Sequence, residues 1–438
     1  RRIKVLVTDH HVTKFDSPAD ASVNPNGYLE SYPFSEISGT AVIYKVLLAY
    51  ILKYSKINQD FLSLMFLVGL STISDVMPLV DENRYFVKQG INMLNNFTNN
   101  NTDNFDDTPV GQYYRGVYRL VKVLEKEGRL KYGITTDTFG FVIAPILNSP
   151  RRMMGRSEIA FDLFRMKKSD KDISQELYNI NEDRKKYLRE LNKEVSDFLE
   201  DKDPLDNLSM IISTDVGVAG LVAGSFTNKY NLPSIVFSVP TQDKETTKLS
   251  GSARSPEWFN LYDFLSKVDR EYGLIEKWGG HRQAAGLTIR VDNFDKFKEV
   301  VSKEFISAMS DIEIYEGIDS EFIIDTEELK GMEYRGFLID TEGLIDIIEV
   351  LDNLKPFGQG FSKPRFTVAY TIDNVFYMGD KKQHIKIILS NGVNIIDWNG
   401  AKNYEVGQKY VSTGFLEVNN FRNRKSLQLI SDISYRVS

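Results

Sequence analysis

The chain has 438 residues, 42% apolar and 26% charged, with four histidines, no cysteine and a formal net charge of −7. This composition excludes wholesale disorder, disulfides, a thiolate metal site, a cysteine nucleophile and a His-rich metal centre. The acidic balance excludes a uniformly basic coat for nucleic acid but leaves room for a local basic patch. At roughly 150 residues per domain the length predicts about three domains, and no uninterrupted apolar run reaches membrane-spanning length.

The sequence opens at Arg1, directly into a predicted strand over Ile3–Val7, an opening expected of a fragment or of one half of a split protein. Asp9-His10-His11 follows at the strand's carboxyl end, where open α/β sheets bind ligands. Adjacent imidazoles in a loop point different ways, so one is free to ligate a metal while the other meets substrate, with Asp9 orienting an imidazole. For a bare histidine pair, incidental surface residues are the better reading. Ser38-Gly39-Thr40-Ala41 opens an apolar helix through Tyr50. Phe61–Ile73 predicts a buried helix ending near Asp75, a carboxylate whose apolar flanks make it costly unless paired or bound to a cation. Alone, it reads better as a turn cap.

Asn95–Asn104 predicts a surface loop. Ser169–Asp203 predicts a long amphipathic helix, with Leu177, Ile180, Tyr187, Leu191 and Phe198 on one stripe and Pro204 stopping it. Strand Met210–Ile212 leads into Gly217–Gly224, where the glycines permit close packing of helix on strand. Ser250–Ser255 predicts an exposed polar loop in which the hydroxyls of Ser252 and Ser255 and the Arg254 guanidinium suit a phosphate. Gly279-Gly280-His281 predicts a tight turn that lets backbone N–H groups approach a phosphate.

Residues 311–354 carry 14 acidic side chains against Lys330 and Arg335 and read as a solvated surface. Residues 361–438 reverse the balance, with 11 basic and 6 acidic residues, net +5, against 43 and 55, net −12, before them. Five strands are predicted after Pro364, the count of an OB-fold. Within them Lys381, Lys382, Lys386, Arg422, Arg424 and Lys425 interleave with Phe376, Tyr377, Trp398 and Phe421. Basic side chains track a nucleic-acid backbone and exposed aromatics stack on bases. For Trp398 a place in the barrel core is at least as good a reading.

Taken in order, these segments resemble the DHH phosphoesterase superfamily and, within it, the RecJ single-stranded-DNA exonucleases. The resemblance is carried by Val7-Thr8-Asp9-His10-His11, Asn24-Pro25, Ser38-Gly39, Ser74–Leu79 with Asn83-Arg84, and Ala144–Asn148 with Arg152. It continues through Ser252–Ser255, Gly279-Gly280-His281, Pro356–Gly360 and Asn419–Leu429. It implies an α/β fold: part of a DHH domain with a parallel sheet over 1–165 and a connecting helix over 166–204. A DHHA1-like domain with an acidic connecting segment would follow over 205–360, then an OB-like β-barrel over 361–438.

The same resemblance makes His10 and Asp75 metal ligands and His11 a phosphate contact, with Asp9 behind them. Arg152, Ser252, Arg254, Ser255, Gly279, Gly280 and His281 become contacts to DNA or its terminal phosphate, and Lys382, Lys386, Arg422 and Arg424 contacts of the OB region. Arg151 beside Arg152 leaves open which of the two touches phosphate. The implied chemistry is 5′-to-3′ hydrolysis of single-stranded DNA in the cytoplasm by two Mn²⁺ or Mg²⁺ ions. The family's Asp-x-Asp motif precedes DHH, and only eight residues precede Asp9 here. The chain alone is therefore expected to be inactive or nearly so, completed by an upstream segment or a partner polypeptide. The rivals are another DHH phosphodiesterase acting on short oligonucleotides or cyclic dinucleotides, and a non-catalytic DNA-binding scaffold.

Overall fold

A computed structural model describes residues 3–13, 17–27, 32–55, 59–99, 109–131, 133–166, 170–214, 216–240, 246–310, 320, 322–325, 332–334, 337–339, 341–379, 382–398, 400, 404–421 and 424–437. Strands β1 (Leu6–Thr8) and β2 (Ala21–Val23) precede helices α1 (Gly39–Tyr54), α2 (Gln59–Ser63), α3 (Met65–Ser74) and α4 (Asp81–Asn99). Then come α5 (Pro109–Lys126), a π-helical segment (Thr138–Ile143), α6 (Ala144–Met154), α7 (Glu158–Arg165) and α8 (Ser174–Phe198). The next stretch holds β3 (Ser209–Ser213), α9 (Ala219–Tyr230), β4 (Ser234–Val239), β5 (Lys248–Arg254) and α10 (Leu261–Tyr272). It continues with β6 (Ile275–Gly280), β7 (Ala284–Arg290) and α11 (Phe294–Ser310). The last stretch runs β8 (Phe322–Asp325), β9 (Met332–Tyr334), β10 (Phe337–Ile339), α12 (Thr341–Asp352), β11 (Phe366–Thr371) and β12 (Asn374–Met378). It ends with β13 (His384–Ile388), β14 (Val393–Asp397), β15 (Lys409–Phe421) and β16 (Arg424–Arg436).

The chain divides into two compact units. The first comprises Arg1–Ile57, Leu64–Asn92 and Tyr315–Ser438; the second comprises Asn58–Ser63 and Met93–Ile314.

In the first unit β1 and β2 pair in parallel, and α1 packs on both β1 and α3. Ser38 caps α1 through its hydroxyl, which accepts from the Ala41 N–H at 3.3 Å. The C-terminal sheet runs β12-β13-β14-β16-β15-β11-β8, around a core that includes Val368, Tyr370, Ile385, Ile387, Ile395 and Leu429 and is joined by Leu344, Ile345 and Ile348 of α12. Sequence patterning predicts five strands here. It misses β12, whose Phe376 and Tyr377 are exposed, and β8, which lies in the acidic stretch and pairs in parallel with β11.

In the second unit a sheet ordered β3-β4-β5-β7-β6 carries helices on both faces. Gly220 of α9 approaches Ser252 on one face. Phe237, on the other, meets Phe294 and Phe297 of α11 edge-on. Fully buried Phe237, Leu265, Ile289, Phe297 and Phe305 form its core.

Other predicted boundaries shift for local reasons. The first strand is Leu6–Thr8 rather than Ile3–Val7. The apolar run 61–73 is two helices broken at Leu64. The helix predicted over 169–203 is α8, Ser174–Phe198. The Asp203 carboxylate accepts from Leu205 N–H and starts a short 3₁₀ turn in which Pro204 is the first residue. Asn95 lies in α4 rather than in a loop, because its amide bonds both Ile134 N–H (2.8 Å) and Ile134 O (2.9 Å).

Candidate metal and nucleic-acid sites

The Asp9-His10-His11 loop leaves β1 with Asp9 N–H bonded to Val23 O at 3.1 Å. Asp9 Oδ1 accepts from His10 N–H (2.7 Å) and His11 N–H (3.3 Å) and lies 2.7 Å from His11 Nδ1. Burial opposes the Asp9 charge, but the His11 ring and the two amides outweigh it and hold its pKa below the ordinary carboxylate value. The loop is pinned from outside by two amides: Asn24 Nδ2 donates to His11 O (2.8 Å), and Asn26 Nδ2 to His10 O (2.9 Å) and Ser35 O (3.0 Å). Sequence reasoning misses Asn26, since only Asn24-Pro25 belongs to a recognisable segment. Asp9 therefore orients His11. The half-buried His10 ring lies beside Gly39 at the start of α1, and its nitrogens have no hydrogen-bond partner among the described residues.

Asp75 is the C-cap of α3. The expectation of a costly buried carboxylate does not hold, because Asp75 is exposed at the helix end. Its electrostatic problem is different. It sits at the negative end of a helix dipole whose last turn holds no basic residue, and among the described residues its side chain has only a long 3.4 Å contact, from the Ser71 hydroxyl. A cation relieves that. The turn is a Schellman motif, with Val76 N–H bonded to Ile73 O (3.1 Å) and Met77 N–H to Thr72 O (3.0 Å). Val76 occupies the position that favours glycine, at φ 56°. An exposed carboxylate suits Mn²⁺ or Mg²⁺ as a donor, and adding an imidazole favours Mn²⁺ over Mg²⁺. They remain two donors: no group of three or more His, Asp or Glu able to hold a metal ion occurs among the described residues.

The second unit gathers cations. Arg152 on α6 accepts Gly217 N–H at its carbonyl (2.7 Å), docking the loop before α9 onto α6. At Gly220, in the first turn of α9, a Cβ would lie 2.9 Å from Arg254 Nη2 and 3.4 Å from Ser252 Oγ, so glycine makes room for both. Burial depresses the pKa of Arg152, with exposed Arg151 adding to it. Burial and then the charge of Arg152 depress Arg184 and Arg254. Arg152 is half-buried and Arg151 exposed. Arg184 is a residue that sequence reasoning misses. It is only 8% exposed, and its Nε donates to Asn181 Oδ1 at 3.1 Å. The available signal was an arginine seven residues from both Leu177 and Leu191 on the buried stripe of α8.

Ser252 and Arg254 lie on β5, not in the exposed loop expected for Ser250–Ser255, because this stretch pairs with both β4 and β7. Ser255 is corrected more sharply. It is buried, and its hydroxyl donates to Phe259 O (3.1 Å) and Arg282 O (3.3 Å), which commits it to holding the turn. Ser252, Gly286 and Gly279 are in register across β5, β7 and β6. The two glycines are exposed, and a Cβ on Gly279 would meet nothing within 4 Å. This row is open backbone leading to Ser252. Gly280 closes the hairpin, where a Cβ would lie 2.3 Å from Ala284 O. His281 N–H bonds Ala284 O (2.8 Å) and its side chain is exposed at the tip.

On the C-terminal sheet Phe376 is directly opposite Lys386, and Trp398 meets His384 edge-on with ring centroids 5.0 Å apart. Trp398 is 53% exposed and Phe376 51%, so neither fills the core. Lys382 and Arg424 are exposed and Lys386 is half-buried. Arg422 and Lys381 lie outside the described residues.

Comparison with known proteins matches residues 208–307 to the DHHA1 domain and residues 341–432 to the RecJ OB domain. The single-stranded-DNA-specific exonuclease RecJ of Haemophilus influenzae is 29% identical, over 98% of this chain and 73% of that protein. RecJ of Bacillus subtilis is 24% identical, over 98% of this chain and 50% of that protein. The crystal structure of RecJ with Mn²⁺ from Thermus thermophilus superposes with a TM-score of 0.74 at 20% identity, over all of this chain and 58% of that one. This chain thus spans between half and three-quarters of the length of these relatives.

Proposed function

The chain is a RecJ-like protein of the DHH superfamily, and we propose that it is the phosphate-gripping and strand-holding part of a 5′-to-3′ exonuclease acting on single-stranded DNA in the cytoplasm. The observation that carries the reading is Arg254 and Ser252 together against Gly220 at the start of α9, with Arg152 docked on the loop before that helix and Ser252 in register with the side-chain-free row of Gly286 and Gly279. Half-buried guanidiniums repelling one another call for an anion, and the forked donors of Arg suit a phosphate. The glycine row lets a nucleic-acid backbone lie on the sheet without steric conflict.

In this reading His10 and Asp75 supply two ligands to divalent metal. When bound, Mn²⁺ or Mg²⁺ provides an activated water and charge stabilisation for the leaving oxygen. His11, kept in one orientation by Asp9, donates to a phosphate oxygen. Phe376, Trp398, Lys382, Lys386 and Arg424 hold the trailing single strand by stacking and charge. An OB domain of this kind has no use with a dinucleotide, which disfavours small cyclic substrates. The remaining metal ligands come from carboxylates outside this sequence, in an upstream segment or a partner polypeptide.

The test is Mn²⁺-dependent hydrolysis of long 5′-phosphorylated single strands by the chain, alone and with a polypeptide carrying the upstream Asp-x-Asp motif. Turnover is expected only with both, and EDTA should abolish it. Robust turnover by the chain alone would overturn the incomplete-site reading. Tight binding with no cleavage in either arrangement would leave the scaffold in its place.

A further inference from the structure

The lead-in to the C-terminal sheet, Leu354–Phe361, is fastened to the turn that follows Asp75. Arg84, on α4, donates through Nη1 to Pro356 O (2.6 Å) and through Nη2 to Leu354 O. Its guanidinium lies 4.0 Å from the centre of the Phe361 ring, which stacks on Phe357 at 5.6 Å. Gly358 and Phe361 bond each other's backbones in both directions (3.0 and 3.1 Å), folding the lead-in into a tight loop. That loop rests on the residues after Asp75. Leu79 N–H bonds Gln359 O at 2.6 Å. A Cβ on Gly358 would lie 2.6 Å from Leu79 Cδ1, and one on Gly360, at φ 70°, would lie 3.1 Å from Pro78 Cβ. From the other side, Asn83 Nδ2 donates to Pro78 O (3.0 Å) and Glu36 O (2.6 Å).

We propose that Arg84 is a positioning residue: by clamping the 354–361 lead-in onto Pro78 and Leu79, it fixes the turn that carries Asp75 and ties that turn to the nucleic-acid-binding sheet. The physical need is visible at Val76. A β-branched residue at positive φ is strained and persists only where its surroundings over-determine it. The helix end restrains the turn on one side and the lead-in restrains it on the other. Two charge-assisted bonds to carbonyls, with stacking on Phe361, make Arg84 the fastening of the lead-in. The role for Asp75 rests on the nuclease reading above; the mechanical coupling does not.

Hydrogen–deuterium exchange on this chain separates the two. Arg84→Ala should speed exchange across residues 75–80 by about tenfold or more, with the strands β13 and β14 unchanged. Arg84→Lys, which keeps the charge but cannot fork or stack, should fall between. Gly358→Ala, which leaves Arg84 intact and pushes on Leu79, should reproduce the Arg84→Ala pattern. Unchanged exchange at 75–80, or an equal rise throughout the first unit, would overturn the proposal in favour of simple attachment of the sheet. In the assembled nuclease, Arg84→Ala should raise the half-saturating Mn²⁺ concentration by about tenfold while leaving single-strand affinity within about twofold. A loss confined to strand affinity contradicts it. Absence of any nuclease activity in the parent protein would sink the functional reading while the exchange result still decided the clamp.

Discussion

Arg184 Nε sits 3.1 Å from Asn181 Oδ1, one turn back on the same helix, and no carboxylate pairs with that guanidinium among the described residues. Burial and the charge of Arg152 disfavour this cation, with the Glu182 charge opposing them, and a bound anion favours it. Inorganic phosphate should therefore raise the melting temperature, by the equivalent of about 2.7 kcal/mol at a hundredfold excess over its dissociation constant. Arg184→Met should raise the melting temperature in phosphate-free buffer and blunt the phosphate-dependent rise. Calorimetry showing Arg184→Met to be destabilising, with the phosphate response intact, would remove Arg184 from the anion site.

Arg254→Ala is expected to weaken binding of 5′-phosphorylated single strands by about tenfold or more, the loss of a charge-assisted contact. Unphosphorylated strands should lose much less. Ser255→Ala should instead lower thermal stability without changing that preference, since its hydroxyl serves two carbonyls of its own turn. Equal losses for both kinds of strand in Arg254→Ala, measured by fluorescence anisotropy, would argue against a terminal-phosphate role.

Val76→Gly should be neutral or stabilising by up to about 1 kcal/mol, the reverse of an ordinary valine deletion. The side chain is 66% exposed, so little burial is lost, and glycine relieves a left-handed conformation that costs about 1–3 kcal/mol. A clear drop in the unfolding midpoint would show that the turn is not strained.

On the C-terminal sheet, Phe376→Ala and Trp398→Ala should each weaken single-strand binding by about 1–3 kcal/mol and barely move the melting temperature, because both rings are exposed. Lys386→Ala should flatten the salt dependence by about 0.7 in log–log slope. Affinity indifferent to all three substitutions would take this face out of the binding surface.

Asp9 has a lowered pKa, so its contribution to the loop is fully present above the unfolded carboxylate value of about 3.9 and is lost only as pH falls through the lower folded value. Loss of function between about pH 5 and 7 therefore belongs to another group. Asp9→Ala should free the His11 ring and speed amide exchange at His10 and His11 in NMR spectra at neutral pH. Unchanged exchange would mean that Asn24 and Asn26 suffice to hold the loop.

The linear sequence determined what depends on local order: the succession of motifs from Asp9-His10-His11 to the basic C-terminal block, the Ser38 cap of α1, and the apolar strand at Met210–Ile212 that opens the second unit's sheet. It misjudged Ser255 and left Trp398 open between surface and core, because hydroxyl commitment and exposure depend on packing: the Ser255 hydroxyl is taken up by Phe259 and Arg282 carbonyls, and the Trp398 ring is exposed against His384. It did not show Arg184 joining Arg152 and Arg254, since those cations come from three elements that meet only when α6, α8 and β5 pack around the start of α9. The fastening of residues 354–361 to the Asp75 turn was equally invisible, spanning about 270 residues through backbone carbonyls that look alike at every position. Residue type sets which chemistry is possible, while packing alone decides which charges are left unpaired and which turns are held.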